Sequence, residues 1–73
     1  NMKTFLENFS EILEDTLTES LSLDTEFKDL DDWDSMTMLM LISLFDEKYS
    51  LEVSASDINK LDTLNELYLL TKK

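Results

Sequence analysis

The chain of 73 residues contains neither glycine nor proline. Tight turns between β-strands usually depend on glycine, because their backbone angles penalise other residues. An all-β fold would therefore lack its turn residues, whereas helices joined by loops rich in Ser, Thr and Asp need neither residue type. We predict an all-α fold, and the length predicts one small domain spanning residues 2–73.

Apolar residues near the N-terminus recur at steps of three and four, which places them on one stripe of a helix. The stripe comprises Met2, Phe5, Leu6, Phe9, Ile12, Leu13 and Leu17. It predicts a first helix that extends to Leu17. Residues 18–34 break this period, and we expect a long loop packed by its own Phe27, Leu30 and Trp33.

Three capping signals predict where the later helices begin. Asp34 is a good N-cap, so we expect a second helix from Ser35 to about Tyr49. The sequences SASD, from Ser54, and TLNE, from Thr63, both resemble capping boxes. They predict a short third helix through about Leu61 and then a last helix. The expected architecture is a small four-helix bundle with a long loop between helices 1 and 2 and a short third helix.

The residue types exclude several kinds of chemistry. The chain has no cysteine and no histidine, which excludes disulfides, thiolate or imidazole zinc sites and catalysis by a Ser–His or Cys–His pair. A calcium loop beginning at Asp29 would need glycine where the chain has Asp34, and glutamate where it has Met40. We therefore predict no metal site and no catalytic residue.

The net charge of −11, from 17 acidic and 6 basic residues, limits the possible partners. Nucleic acid is excluded, because binding to phosphates requires clustered Lys and Arg, and anionic membranes are disfavoured. Residues 35–45 are uncharged but too few to cross a bilayer, which takes about 20 apolar residues. The chain also lacks the features of a signal peptide, so we expect a cytoplasmic protein that basic protein partners would approach.

The second helix has two distinct faces. Apolar residues at i, i+3 and i+4 spacing predict its core side, with Leu39 on the flank: Met38, Leu41, Ile42, Phe45 and Tyr49. The opposite face carries Met36, Met40, Ser43 and Glu47. Exposed methionines suit a contact surface, because the side chain is flexible and polarizable. Burial of this helix on most sides is an equal alternative on spacing alone.

Ser35 also has two interpretations. Serine is ordinary at a helix start, and this interpretation is the stronger one from capping alone. The other is that the hydroxyl carries a phosphate ester, which the positive end of the helix dipole would favour.

Beyond these patterns, the chain resembles the acyl carrier proteins, a family of phosphopantetheine-binding carriers. The matching residues are Thr25, Phe27, Asp29-Leu30, Asp34-Ser35-Met36, Asp57-Ile58 and the stretch DTLNEL at Asp62 to Leu67. The likeness covers nearly the whole chain. Three departures stand out: Met36 replaces the family's usual leucine, Asp31 stands where carriers of fatty acid synthesis have glycine, and Met40 stands where they have an acid.

The resemblance implies that Ser35 bears a 4′-phosphopantetheine arm, transferred from coenzyme A by a phosphopantetheinyl transferase, with Asp34 beside it as helix cap. The thiol of the arm would hold an acyl or aminoacyl cargo as a thioester. The chain would be a bacterial, monomeric, discrete carrier and not an enzyme. Loading and processing enzymes with basic or apolar docking patches would bind the face of Met36, Met40, Ser43 and Glu47.

The apolar docking face favours a specialised carrier over one for housekeeping fatty acid synthesis. An acidic helical adaptor or inhibitor that binds a basic protein without a cofactor is the alternative from another functional class.

Overall fold

The computed structural model describes residues 1–72, and the predicted domain therefore ends one residue outside the described part, at Lys73. The described residues form four α-helices: α1 (Met2–Glu11), α2 (Ser35–Tyr49), α3 (Ala55–Asn59) and α4 (Leu64–Leu70). Short 3-10 helices at Thr18–Ser20 and Phe27–Asp29 lie between α1 and α2. No strand occurs in residues 1–72, so the all-α prediction is confirmed. None of their helices is long and apolar enough to cross a membrane.

Helix α1 is shorter than predicted, and its extension to Leu17 is wrong. The helix ends at Glu11, and the N–H of Ile12 already donates to the carbonyl of Phe9 at 3.1 Å in a tighter turn. Leu17 lies outside the core and is 64% exposed. The carboxylate of Asp32 accepts hydrogen bonds from the following segment, residues 15–16, which is therefore fixed to a distant loop instead of continuing the helix.

Helix α2 has the predicted start and end, with Asp34 as N-cap. After Tyr49 the chain turns at Ser50, which adopts the left-handed conformation with φ 52° and ψ 39°. Glycine usually takes this position because other residues pay a steric cost there. In a chain without glycine, Ser50 ends the helix, and its N–H bonds back to the carbonyl of Asp46 at 3.2 Å.

The two predicted capping boxes are both present. The Ser54 side chain accepts from the N–H of Asp57, and the Asp57 carboxylate accepts from the N–H of Ser54. Thr63 and Glu66 repeat this reciprocal arrangement at the start of α4. Because each box satisfies backbone groups that a helix end leaves free, even α3, with five residues, has a defined start.

The core is one hydrophobic cluster drawn from all four α-helices and the long loop. Its fully buried members include four phenylalanines, and ring contacts such as the stacked Phe5–Phe9 pair add to the gain from burial. The ring of Phe5 lies 5.6–6.4 Å from four others. The core residues are Phe5, Phe9, Leu13, Leu21, Phe27, Met38, Leu41, Leu44, Phe45, Ile58, Leu64 and Leu67.

Backbone pairing holds the long loop against the connection before α4. Glu26 and Thr63 form an antiparallel bridge, and the N–H of Phe27 donates to the carbonyl of Asp62 at 3.2 Å. The Phe27 ring is thereby placed in the main core, whereas the sequence predicted only that it packs within its own loop. Trp33 packs against it in a T-shaped contact, at a centroid distance of 5.0 Å. The loop thus has its own apolar anchor two residues before α2.

The exposure of α2 agrees with the predicted faces except at two positions, Thr37 and Leu44. Met38, Leu41 and Phe45 are buried, whereas Ile42 and Tyr49 are half-buried against the core. Leu44, absent from the predicted stripe, is buried as well. The opposite face is exposed and not covered by other helices, which favours a contact surface over an enclosed helix.

The two sides of α2 are expected to respond differently to the same substitution. Leu41 is fully buried, so Leu41→Ala should lower the free energy of unfolding by about 2–5 kcal/mol, from lost burial and the cavity left behind. Leu39 is 59% exposed, so Leu39→Ala should change it by about 0.5 kcal/mol or less. Urea unfolding measures both values. Equal losses would show that the assigned faces of α2 are wrong.

Candidate functional site

The candidate site lies where the long loop becomes α2. Asp34 is the N-cap, with extended backbone, and its Oδ1 accepts from the N–H of Thr37 at 2.8 Å. The Thr37 hydroxyl adds a second contact with the same oxygen at 2.9 Å. Aspartate suits this position because its carboxylate satisfies an otherwise unpaired N–H of the first turn. Ser35 is therefore the first residue of α2, as the sequence predicts.

Ser35 points into solvent. It is exposed, and its hydroxyl forms no hydrogen bond with any residue in the described range 1–72. A groove beside it is lined by Trp33, Met38, Ala55 and Asn59 together with Asp34 and Ser35. The hydroxyl is thus accessible and uncommitted, at the edge of a groove between the start of α2 and α3.

Asp32 links this site to the end of the α1 region. Its Oδ2 accepts from the hydroxyl of Thr16 at 2.7 Å and from the N–H of Asp15 at 3.1 Å. The hydrogen bond from Thr16 is the main cause that lowers the pKa of Asp32, because a carboxylate that accepts hydrogen bonds is stabilised in its charged form. Asp32 therefore remains charged in its role as a tie between two distant segments.

The exposed face of α2 forms an open groove that contains all four predicted docking residues. Its lining residues are Met36, Leu39, Met40, Ser43, Leu44, Glu47 and Lys48. Sequence reasoning missed Lys48, although it follows Leu44 by four residues and so shares its face, and it placed Leu39 only on the flank. The groove combines an apolar centre with charged groups of both signs at its C-terminal end.

A second recess borders the same face on the loop side. Met36 and Met40 line it together with acidic residues, which are Glu14, Asp31, Asp32 and Asp34. The acids that flank the exposed methionines therefore come from the loop and not from α2. Within residues 1–72, no three acidic side chains are arranged to hold a metal ion.

Comparison with known families identifies the class of protein. The profile of a family described as the phosphopantetheine attachment site matches residues 3–70. The chain therefore belongs to this family, in agreement with the resemblance to acyl carrier proteins. No curated protein matches the sequence.

The family match establishes what kind of molecule this is. A domain of this family is the site of covalent attachment of 4′-phosphopantetheine, and it is a non-catalytic carrier on which modifying and processing enzymes act. The predictions of a phosphopantetheine carrier and of a protein that is not an enzyme are confirmed. The match gives no support to the alternative of an acidic adaptor without a cofactor.

The cap of α2 should make stability depend on pH. Hydrogen bonds from the N–H and then the hydroxyl of Thr37 hold the pKa of Asp34 below its ordinary value. The unfolded chain therefore binds this proton at a higher pH than the folded chain, and the stabilisation is lost as pH falls through the folded pKa. Asp34→Asn keeps a capping side chain but cannot titrate.

We expect the difference in free energy of unfolding between wild type and Asp34→Asn to be constant above about pH 5. Below about pH 4 the wild type should lose stability relative to the variant, because Asp34 becomes protonated and the asparagine of the variant does not titrate. Denaturant unfolding at several pH values measures it. Asp24→Asn, which removes an exposed acid outside the cap, controls for net charge. A difference that does not vary with pH, or varies equally in the control, would contradict the prediction.

Proposed function

We propose that the chain is an acyl or aminoacyl carrier protein that holds its cargo on a 4′-phosphopantetheine arm esterified to Ser35. The observation that carries this proposal is the exposed, unbonded hydroxyl of Ser35 at the first position of α2, within the region matched by the family. The N-terminus of α2, a helix of 15 residues, also favours an attached phosphodiester, through the helix dipole and free N–H groups.

Other serines are less suited to carry the arm. The Ser54 side chain is committed to the capping box of α3. The Ser10 hydroxyl lies 2.9 Å from the carbonyl of Glu7 and 2.7 Å from the hydroxyl of Thr18, within hydrogen-bond distance of both. Ser43 is exposed but lies in the middle of α2, away from the positive end of the dipole. Ser35 combines exposure, a free hydroxyl and a helix start.

The surroundings of Ser35 fit the proposed group. The groove beside it offers apolar surface from Trp33 and Met38 and polar atoms from Asn59, which suit a chain of alternating amide and methylene groups. In the transfer, the Ser35 oxygen forms the phosphodiester bond, the P–O bond to the nucleotide half of coenzyme A breaks, and the hydroxyl proton passes to the transferase. When attached, the arm supplies a thiol that carries cargo as a thioester.

Partner enzymes would dock on the groove of α2 through Met36, Met40, Ser43 and Glu47. Its apolar centre would contribute contact area, and the acids of the adjoining recess would attract basic patches. Met40 stands where carriers of housekeeping fatty acid synthesis have an acid, which supports a specialised carrier with its own partner set. We further propose a monomeric, cytoplasmic four-helix bundle spanning the predicted domain.

The proposal is tested by incubating the protein with coenzyme A and a promiscuous phosphopantetheinyl transferase, followed by intact mass measurement. We expect a mass gain of one phosphopantetheinyl group in the wild type and none in Ser35→Ala. Ser56→Ala is the matched control, because it removes another exposed hydroxyl, from α3 and outside the groove of α2, and should be modified like the wild type. No gain in the wild type, or a gain in Ser35→Ala, would overturn the assignment.

The docking role of α2 gives a second prediction. Met40 is 36% exposed, so Met40→Glu should fold like the wild type while adding a charge to the groove. With a transferase that has a basic docking patch, the KM for the carrier should fall by up to about fivefold, the effect of an exposed ion pair worth about 1 kcal/mol. Steady-state kinetics at low and high salt would show this gain and its screening.

Leu69→Glu is the control for that experiment. Leu69 is 52% exposed but lies on α4, so this substitution introduces the same charge outside the groove. Its KM should stay at the wild-type value. An equal fall in both variants would indicate a general charge effect, and loss of the folded circular dichroism signal in Met40→Glu would place Met40 in the core.

A further inference from the structure

Thr37, the third residue of α2, is a buried polar residue beside the candidate attachment point. It is 3% exposed, whereas the two residues before it, Ser35 and Met36, are exposed. Among residues 1–72 it is the one polar side chain in the buried class. A hydroxyl buried in this way needs hydrogen-bond partners, because an unpaired buried polar group costs free energy.

The Thr37 hydroxyl has two partners on the segment that precedes α2. Its Oγ1 lies 2.7 Å from the carbonyl oxygen of Asp32 and 2.9 Å from Oδ1 of Asp34. Both partners are acceptors while Asp34 is ionised, so the single hydroxyl hydrogen is shared between them. The same Oδ1 accepts from the N–H of Thr37. One side chain thus ties the loop backbone to the cap of the helix.

Further hydrogen bonds connect this segment to residues away from the helix. The carboxylate of Asp32, whose carbonyl Thr37 holds, is itself fixed by Thr16 and by the backbone of Asp15. The residues from Asp32 to Thr37 are therefore anchored at both ends, with Ser35 between the anchors. Because Ser35 has no hydrogen bond of its own in the described range, its direction depends on these neighbours.

We propose that Thr37 is a positioning residue for the modification of Ser35: by fixing the Asp32 carbonyl relative to the Asp34 cap, its hydroxyl sets the direction of the Ser35 hydroxyl presented to a transferase. The inference rests on the proposed function. Misplacing a reacting group by a small distance lowers the rate of a step even where binding is unchanged. Loss of the Thr37 hydroxyl should therefore lower kcat more than it changes KM.

The test compares two substitutions at one position. Thr37→Val keeps the branched shape and removes the hydroxyl, whereas Thr37→Ser keeps the hydroxyl and removes a methyl group. With coenzyme A and a promiscuous phosphopantetheinyl transferase, we expect kcat for Thr37→Val to fall about tenfold with KM for the carrier within about twofold. Thr37→Ser should retain kcat within about twofold of the wild type.

A control separates positioning from loss of stability. Phe5→Leu creates a defect in the buried core beside Phe45 and Tyr49, near the C-terminal end of α2, and should destabilise the fold while leaving kcat unchanged. All variants are assayed at a temperature where circular dichroism shows each to be folded. Thr16→Val, which removes the outermost link, should lower kcat less than Thr37→Val.

Each other outcome overturns a defined part of this account. Wild-type kcat in folded Thr37→Val, or an equal loss in Thr37→Ser, would refute the positioning role while leaving the carrier function intact. An equal loss in Phe5→Leu would show that the lower kcat comes from reduced stability, and it would refute the positioning role as well. If the wild-type chain itself is not modified, the proposed function fails, and the role of Thr37 fails with it.

Discussion

The burial of Phe27 is the interaction on which the functional end of the molecule depends. Backbone hydrogen bonds between the long loop and the segment before α4 carry its ring into the core. Trp33 packs on that ring, and the chain then enters α2 through Asp34. The position of Ser35 is thus set by a loop side chain eight residues earlier, and not by helix packing alone.

The features that the sequence predicted correctly are those governed by neighbouring residues. The N-cap at Asp34 and the two capping boxes depend on side chains and N–H groups three residues apart, so their patterns are sufficient. The predicted end of α1 was wrong because the chain after this helix is held by Asp32. This residue is distant in sequence from Thr16, whose hydroxyl donates to its carboxylate. No local periodicity reports such a contact.

In the candidate site, too, features set by neighbouring residues were predictable, and features set by tertiary packing were not. Capping alone indicated where Ser35 would lie, but that its hydroxyl is exposed and unbonded depends on tertiary packing. The helical wheel placed Met36 and Met40 outside the core, yet the acidic recess beside them joins Glu14 and Asp31 from segments that only the fold brings together. The single core residue missed on α2, Leu44, shows that the buried side of this helix is wider than one i, i+3, i+4 stripe.

The edge contact between Trp33 and Phe27 gives the protein a built-in optical reporter. The chain has one tryptophan, and its indole is half-buried in the groove wall two residues from the proposed attachment point. Its emission therefore comes from one known environment, without the overlapping signals that several tryptophans would give. Occupation of that groove, by an arm, a cargo or a docked enzyme, is expected to change the polarity around the indole and to be followed in real time without any label.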